Sequence, residues 1–224
     1  IFNLNNSIIK ENIKTNAKLV GFSSTKIDNN LFFLKDKKIF NSKKIKLIDF
    51  KEINLIGDHN LENILAAATA SKVFHISIEK IRIGIAITRA VKYRLEKVNT
   101  INNITFYNDS KSTNVDSLIV AINSFNKNLF LILGGRDKGG DFKKINFHLR
   151  EKVKQIIIFG ESKELIEKQI KEIIPIYKVN SIKEAIEFSF KNAKSGDSIL
   201  LSPGCSSFDT YKNFEDRGNK FNFL

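Results

Sequence analysis

Apolar and polar positions alternate in blocks over the second half of the chain and predict strands that are each followed by a helix. The strand-like apolar runs cover residues 104–107, 129–133, 155–159, 176–179 and 198–201. Helical spacing lies between them, and the clearest case is the i, i+3, i+4, i+7 repeat of Val115, Leu118, Ile119, Ile122 and Phe125. This alternation favours an α/β fold with a doubly wound, mostly parallel, Rossmann-like sheet, which binds its ligands at the carboxyl ends of the strands.

The first ninety residues have a different pattern. Short β segments are predicted at 18–22, 31–34 and 45–48. Polar turns such as Asp28-Asn29-Asn30 join them. Two amphipathic helices follow at 59–73 and 78–90, and Ser77 is a suitable N-cap for the second helix. We therefore predict two domains, a partial mixed α/β domain over residues 1–90 and the parallel-sheet domain over residues 91–224.

The composition is that of an ordinary folded protein. Of the 224 residues, 42% are hydrophobic and 27% are charged, and this length can bury one large core or two small ones. No apolar run approaches the roughly 20 residues that a membrane helix needs, so we expect no membrane partner. Cys205 is the single cysteine, which excludes an internal disulfide and favours a reducing cytoplasm. We also expect a monomer.

The chain is basic, with 37 Lys and Arg against 24 Asp and Glu and a net charge of +13. A basic nucleic-acid-binding module would carry its lysines on one face and lose affinity steeply with salt. Here the lysines are spread over the whole length, and Lys, Ile and Asn share AT-rich codons. Genome composition is therefore our preferred explanation of the charge. We expect no nucleic-acid partner, and such a module stays as an alternative.

The most informative segment is the polar loop Asn108–Asn114, which joins a predicted strand to the next helix. It combines the carboxylate of Asp109, the ammonium group of Lys111, hydroxyls and amides. A loop before a helix presents free backbone N–H groups and the positive end of the helix dipole, which suits an anion. The simpler interpretation is a capped turn with Thr113 or Asn114 as the N-cap. We predict a phosphate or carboxylate site.

Two further loops follow strands of the same predicted sheet. Residues 134–140, Gly-Gly-Arg-Asp-Lys-Gly-Gly, let the backbone approach a ligand and supply the cation of Lys138, although a flexible glycine turn is the alternative. In residues 200–209 small side chains precede Ser207, which we predict at the start of the last helix as a source of N–H and hydroxyl donors. Cys205 has no histidine near it in sequence, so we interpret it as a packing residue and not as a nucleophile.

Two asparagines stand at the start of the first long helix. Asn60 and Asn63 lie at i and i+3, where their amides could read an adenine edge or cap the helix. The three histidines have none of the short spacings of metal ligands, so we predict no metal site in the chain. Arg94 and Glu96, near the domain boundary, are surface charges when taken alone.

In this order, the segments 108–114, 134–139 and 200–209, with Arg217-Gly218 downstream, resemble the Mur ligase family of peptidoglycan synthesis. They follow the pattern of its D-glutamate-adding branch. The resemblance covers nearly the whole chain. It implies that residues 1–90 are the last part of a central ATP-binding domain, and that residues 91–224 are most of a C-terminal domain that binds the amino acid.

The family implies an ADP-forming ligation that serves cell-wall biogenesis, cell shape and cell division. ATP phosphorylates the carboxylate of UDP-N-acetylmuramoyl-L-alanine, and the amine of D-glutamate attacks the resulting acyl phosphate. Because phosphorylation gives a poorly reactive carboxylate a leaving group, positioning and charge neutralisation remain as the tasks of the protein. The implied partners are these small-molecule substrates and ATP with Mg²⁺, whose ligands lie mainly outside these residues.

The resemblance also implies roles for individual residues. Asn60 and Asn63 would lie at the adenine. The ribose and phosphates of ATP would be contacted by Arg94, Asp109 and Lys111, of which Asp109 and Lys111 would be catalytic. The D-glutamate would be held by Thr113, Lys138, Ser207, Phe208 and Phe214, with Lys138 neutralising a carboxylate.

The chain departs from the family pattern at three positions. Tyr93 stands where the family usually has His, and Gly204 and Ser206 replace the usual alanines.

Two phosphate-binding motifs are absent from the sequence. It contains neither a G-x-x-x-x-G-K-[ST] loop nor a G-x-G-x-x-G motif, has no methionine and begins at Ile1. We therefore expect a fragment that has no ligase activity by itself. The alternative within enzymes is another Mur-type or folylpolyglutamate-type ligase, which would share the architecture and take a different amino acid.

Overall fold

The computed structural model describes residues 1–25, 30–170 and 174–223. The chain divides into two units, Ile1–Arg89 and Ala90–Leu224. This division does not test the roles given to residues 1–90 and 91–224, which stay predictions. In the described part of the chain, no helix is both long and apolar enough to cross a membrane.

The first unit, as far as it is described, combines short strands with helices. Its strands are β1 (Phe2–Asn3), β2 (Gly21–Phe22), β3 (Phe32–Lys35), β4 (Lys38–Asn41) and β5 (Lys46–Asp49). Its helices are α1 (Ser7–Asn12), α2 (Asp58–Val73) and α3 (Ile78–Ile87). β1 pairs in parallel with β2, while β3, β4 and β5 form an antiparallel meander.

The core of the first unit lies between the meander and the two long helices. α2 buries Leu61, Ile64, Leu65 and Ala68, the face that the helical spacing predicts. α3 contributes Ile81 and Ile85. The strands contribute Phe22, Phe32, Ile39, Leu47 and Ile48. Burial of these side chains, at about 25 cal/mol per Å² of apolar surface, holds helices and strands together.

Sequence expectations for the first unit are confirmed in part. The segments predicted at 18–22, 31–34 and 45–48 contain or overlap β2, β3 and β5, and the oxygen of Ser77 caps α3 by accepting from the Lys80 N–H at 3.4 Å. α3 ends at Ile87, short of residue 90. β1, α1 and β4 were not predicted. Most of the turn Asp28-Asn29-Asn30 lies outside the described residues, and β3 joins β4 through Asp36 and Lys37 at φ 47° and 56°.

The second unit contains a six-stranded sheet in its described part. Its strands are β6 (Glu96–Ile101), β7 (Ile104–Asn108), β8 (Leu129–Gly134), β9 (Val153–Phe159), β10 (Ile176–Lys178) and β11 (Ser198–Leu201). Its helices are α4 (Val115–Asn123), α5 (Asn146–Leu149), α6 (Lys163–Gln169), α7 (Ile182–Asn192) and α8 (Phe214–Asn222). The strand order is β10-β9-β8-β11-β7-β6, and only β6 runs antiparallel to its neighbour.

This arrangement confirms the predicted doubly wound, mostly parallel α/β sheet. Each of the five predicted strands is present, with bounds that differ by no more than two residues. β8 lies in the middle of the sheet and is buried along its whole length, as expected for a parallel strand with helices on both faces. The edge strand β6 was not predicted, because its sequence Glu-Lys-Val-Asn-Thr-Ile is mostly polar and largely exposed.

The end of β8 approaches β9 closely at Gly134. Its φ of 127° lies in the region that favours glycine, and a Cβ atom there would collide with the carbonyl oxygen of Phe159. Gly196 also has a positive φ, 88°, but a Cβ atom would have nothing within 4 Å. The two glycines therefore separate the cost of backbone conformation from the cost of contact.

We expect Gly134→Ala to lower the free energy of unfolding by about 3 kcal/mol, because strained backbone and overpacking each cost roughly 1–3 kcal/mol. Gly196→Ala, the matched control, should cost about 1 kcal/mol, from backbone conformation alone. Urea unfolding followed by circular dichroism measures both. Equal losses would show that the approach of Phe159 does not constrain this strand end.

Candidate functional site

Polar loops meet at the carboxyl edge of the parallel sheet. They are the β7 loop (109–114), the β8 loop (135–141) and the β11 loop (202–213). Parallel strands carry their carboxyl ends to the same edge, so loops that are far apart in sequence become neighbours. The Asp109 N–H donates to the Leu201 carbonyl at 2.7 Å, and the Gly134 N–H donates to the Pro203 carbonyl at 3.0 Å.

Backbone hydrogen bonds tie the β11 loop to both of the other loops. Arg136 and Ser206 exchange two N–H to carbonyl bonds of 3.0 Å, and the Ser206 hydroxyl donates to the Arg136 carbonyl at 2.9 Å. The Gly204 N–H donates to the carbonyl of Ser112 at 3.0 Å. The β11 loop therefore has a fixed position between its two neighbours.

A fully buried arginine joins the same loops from the last helix. Arg217 lies one turn into α8, and its side chain is surrounded by oxygen atoms. Nε donates to Ser110 Oγ at 3.0 Å, Nη2 to the Ser110 carbonyl at 2.8 Å, and Nη1 to the carbonyls of Cys205 at 3.0 Å and Gly134 at 3.5 Å. Burial lowers the pKa of Arg217 to about 10, so its guanidinium stays charged at neutral pH.

The start of α8 is also fixed to the end of β7. The Ser110 hydroxyl donates to the carbonyl of Phe214 at 2.8 Å, and the Asn108 amide donates to the Gly218 carbonyl at 2.9 Å. The same amide nitrogen lies 2.6 Å from the Asn222 side-chain oxygen. Phe214, a residue assigned to the amino acid by resemblance, is thereby held beside the β7 loop.

Asp109 is buried at this edge with only 7% of its surface exposed. Its two carboxylate oxygens accept from the Leu95 N–H at 3.1 Å and the Ser202 hydroxyl at 2.8 Å. Burial raises the pKa of Asp109 to about 7, although both hydrogen bonds and the charge of Arg94 oppose the rise. Asp109 therefore changes charge near neutral pH.

Lys111 is exposed, and its ammonium group lies 4.9 Å from the centre of the Phe214 ring, within the range of a cation–π contact. Its backbone N–H donates to the Tyr93 carbonyl at 3.0 Å. Tyr93 is buried with φ 64°, and its hydroxyl donates to the Asn219 side-chain oxygen at 2.8 Å. The Tyr93 ring also meets Phe214 edge-on at 6.1 Å, so Tyr93 supports both Phe214 and Lys111.

The β8 loop presents Lys138 to solvent. The Asp137 carboxylate accepts from the N–H groups of Gly139 at 2.8 Å and Gly140 at 2.9 Å. These two bonds close a turn that contains Lys138. No described carboxylate forms an ion pair with Lys138. Its ammonium group is therefore open to an anionic ligand at the same edge as Lys111.

The helix predicted to start at Ser207 is wrong. Ser207 is buried in a turn, where its carbonyl accepts from the Tyr211 N–H at 2.8 Å, and Phe208 beside it is 59% exposed. α8 starts at Phe214, because Asn213 is a good N-cap whose oxygen accepts from the Asp216 N–H at 2.7 Å. Ser207 still reaches the sheet edge, but on a turn.

The β7 loop caps α4 as well as shaping the edge. Of the two N-caps proposed, Asn114 is the one observed, with its oxygen accepting from the Ser117 N–H at 2.8 Å. Thr113 is half-buried next to it. The Ser112 hydroxyl is buried and has no hydrogen-bond partner among the described residues. Helix capping thus explains the role of Asn114 in this loop. Thr113 and Lys111 take no part in the cap, so their side chains are available to a ligand.

Asn60 and Asn63 belong to the first unit, and neither caps α2. The N-cap is Gly57, while the Asn60 amide donates to the Ile56 carbonyl at 2.7 Å. The Asn63 amide lies 3.5 Å from the Asn60 side-chain oxygen, and Asn63 lines an open, mostly apolar groove of 380 Å³ between α2 and α3. Their assignment to adenine stays a prediction.

The described residues add neither a reactive thiol nor a cluster of metal-binding side chains at the sheet edge. Burial raises the pKa of the Cys205 thiol to about 11, which keeps it neutral and agrees with a packing role. In residues 1–25, 30–170 and 174–223, no three His, Cys, Asp or Glu side chains are grouped to hold a metal ion.

Arg217 is the central residue to which the sequence interpretation gave no role. The motif Arg217-Gly218 was noted, but only as part of a resemblance. A local signal was present, because Phe214, Arg217, Gly218 and Phe221 repeat at i, i+3, i+4 and i+7. An arginine on the buried face of a helix needs several oxygen partners, which points to a binding or bridging role.

Comparisons with known proteins agree with this geometry. The family model described as Mur ligase, glutamate ligase domain matches residues 93–205. UDP-N-acetylmuramoylalanine--D-glutamate ligase of Natranaerobius thermophilus is 39% identical over 216 residues, 94% of this chain and 47% of that protein. The enzyme of the same name from Clostridioides difficile is 37% identical over 226 residues, 99% of this chain and 50% of that protein. The chain thus spans about half the length of these relatives.

Solved structures show the same fold. UDP-N-acetylmuramate-alanine ligase MurC from Thermotoga maritima has a TM-score of 0.63 at 13% identity, covering 90% of this chain and 46% of its own. MurF ligase from the same organism, in complex with ADP, has a TM-score of 0.63 at 14% identity, covering 91% and 48%. Because the family match extends over half of the residues and includes the three loops down to Cys205, this chain belongs to the Mur ligase family.

Proposed function

We propose that this chain is the amino-acid-binding half of an ATP-dependent, ADP-forming ligase that joins D-glutamate to UDP-N-acetylmuramoyl-L-alanine in peptidoglycan precursor synthesis. The observation that carries the proposal is the convergence of the loops of Lys111, Lys138 and Ser207 at one sheet edge, beside Phe214. The names of the most similar curated relatives support D-glutamate as the amino acid.

The proposed ligation needs side chains that position the substrates more than it needs a reactive side chain. ATP supplies a phosphoryl group that turns the acceptor carboxylate into an acyl phosphate with a good leaving group. The protein must then hold the amine of D-glutamate close to that carbon and neutralise the charges around it. Exposed ammonium groups, and hydroxyls near them, on fixed loops suit these two tasks.

D-glutamate would be held by its charges and by its short apolar stem. In this proposal, Lys138 pairs with one carboxylate, since it is exposed and no described carboxylate neutralises it. Thr113 and Ser207 offer hydroxyl donors on the neighbouring loops. Phe208 and Phe214 would flank the methylene groups. Each side chain lies on a loop or helix end that backbone hydrogen bonds hold in place.

The nucleotide would be held by a different set of residues. Lys111 would pair with a phosphate, and the Asp109 carboxylate would accept from a ribose hydroxyl beside Arg94. Asn60 and Asn63, in the first unit, would supply amide donors and acceptors to adenine. Mg²⁺ would accompany ATP, with its ligands mainly outside these residues.

The identity of the amino acid is tested with a ligase of the relatives' full length that contains this chain. Release of inorganic phosphate from ATP is measured with D-glutamate, L-glutamate, meso-diaminopimelate or L-alanine as the added amino acid. We expect turnover with D-glutamate only. Comparable turnover with another of these amino acids would replace this proposal with a different Mur-type or folylpolyglutamate-type ligase.

In the same ligase, Lys138→Ala is expected to raise the KM for D-glutamate by about 10- to 100-fold, the loss of one charge-assisted hydrogen bond of roughly 1.5–3 kcal/mol. The KM for ATP should stay unchanged. Lys144→Ala, an exposed lysine on the connection from β8 to β9, is the matched control and should have no effect. An unchanged KM for D-glutamate in Lys138→Ala would remove Lys138 from the site.

Asp109 is expected to make nucleotide binding depend on pH. The ionised carboxylate is the stronger acceptor for a ribose hydroxyl while it also holds Leu95 and Ser202, because protonation takes one acceptor site and removes the negative charge, and the pKa of Asp109 is about 7. The ionised fraction falls as the pH drops below that value. ATP affinity should therefore fall by roughly tenfold between pH 8 and pH 6.

Asp109→Asn is the control, since its amide does not titrate and the phosphates of ATP titrate equally in both proteins. Isothermal titration calorimetry at both pH values gives the ratio of affinities for each protein. At pH 8, Asp109→Asn should bind ATP more weakly than the wild-type protein does. Its ATP affinity should also lack the roughly tenfold decrease between pH 8 and pH 6 that the titration of Asp109 causes. The same ratio in both proteins would show that Asp109 does not contact the nucleotide.

A further inference from the structure

The chemistry of arginine explains how one side chain reaches several loops. The guanidinium is planar and carries five N–H donors in a fixed fork, so it can bond to acceptors that lie in different directions. At Arg217 these acceptors are the hydroxyl and carbonyl of Ser110, the carbonyl of Cys205 and the carbonyl of Gly134. A lysine ammonium, a compact point charge, could satisfy only part of this set.

The charge of Arg217 is compensated by oxygen dipoles. None of the ion pairs among the described residues includes Arg217, although the nearby charge of Asp209 also favours its charged form, and its side chain is fully buried. A buried cation that lacks a carboxylate partner is held in place by its hydrogen bonds, and those bonds in turn fix the carbonyls that accept them. Arg217 therefore determines where the acceptor residues lie.

Each acceptor is a near neighbour in sequence of a proposed substrate contact. Ser110 precedes Lys111, Cys205 lies two residues before Ser207, and Gly134 lies four residues before Lys138. Phe214 is three residues before Arg217 itself, in the first turn of α8. A shift of any acceptor changes the distances between these contacts, and displacements near 1 Å are enough to weaken a positioned site.

We propose that Arg217 is a positioning residue for the substrates: it does not touch a ligand, and it sets the position of Lys111, the proposed phosphate contact, relative to Lys138 and Ser207, the proposed D-glutamate contacts. The inference rests on the function proposed above, because Lys138 and Ser207 matter only if they bind the amino acid, and Lys111 matters only if it binds a phosphate of ATP. It adds a specific cause for their arrangement, the hydrogen-bonding fork of one buried guanidinium.

The test uses the 224-residue chain and measures the Kd for D-glutamate by NMR titration of the ¹⁵N-labelled protein. Arg217→Lys retains the charge and loses the fork, and we expect it to raise the Kd by about tenfold or more. Arg150→Lys, an exposed arginine in the same unit, is the matched control and should change the Kd by less than twofold.

A double-mutant cycle with Lys138→Ala separates positioning from a general loss of stability. If Arg217 acts by placing Lys138, Arg217→Lys should raise the Kd much less in the Lys138→Ala background, by about threefold or less. If the Kd of the double variant is raised by the product of the factors found for the two single variants, Arg217 does not act through Lys138, and the proposal is overturned.

Ser110→Ala serves as a second variant if Arg217→Lys does not fold. It removes the acceptor of Arg217 Nε and leaves the arginine in place. It should raise the Kd for D-glutamate in the wild-type background, and raise it much less in the Lys138→Ala background, as expected for Arg217→Lys. No saturable binding of D-glutamate to the wild-type chain would contradict the proposed function. Tight binding to wild type with equal binding to both variants would contradict the positioning role alone.

Discussion

Arg217 places a positive charge where water does not reach it, and its hydrogen bonds to the β7 loop, the end of β8 and the β11 loop take the place of hydration. Such a group is costly to bury unless nearly every N–H finds an acceptor. The loops that supply those acceptors must therefore keep their positions. The arrangement of polar side chains at the sheet edge depends on this one constraint.

The parallel sheet makes that constraint possible. Strand order β8-β11-β7 places the β11 loop between its two neighbours, although about 70 residues separate it from the β8 loop in sequence. The backbone pair of Arg136 with Ser206 then locks the middle loop to one side, and the bond from Gly204 to Ser112 locks it to the other. A rigid scaffold thus carries side chains that remain free to bind, which is the usual division between loops and sheets.

Local features of the sequence were enough to find the loops and most of the fold. The buried runs of β7, β8, β9 and β11 and the spacing of α4 identified the sheet and the edge at which we propose that its ligands bind. One local signal also points to β6: Asn102-Asn103, both at positive φ, is a typical hairpin turn before β7. The helix placed at Ser207 was wrong, because Asn213 is the better N-cap.

Other features depend on tertiary structure and have no local pattern. The partners of Arg217 come from two loops and the end of β8, and the raised pKa of Asp109 comes from its burial. The exposed position of Lys138 depends on the turn that Asp137 closes. The sequence therefore indicated which polar side chains lie at this edge, and only the fold supplies the distances, burial and charge compensation that bring them together.

The most direct test of a single amino-acid site at the sheet edge is a crystal structure of the chain with D-glutamate bound. We expect the ligand at the carboxyl ends of β7, β8 and β11, with a carboxylate within hydrogen-bond distance of Lys138 Nζ and the Ser207 hydroxyl. Density for the amino acid elsewhere, such as in the groove between α2 and α3, with an empty sheet edge, would contradict it.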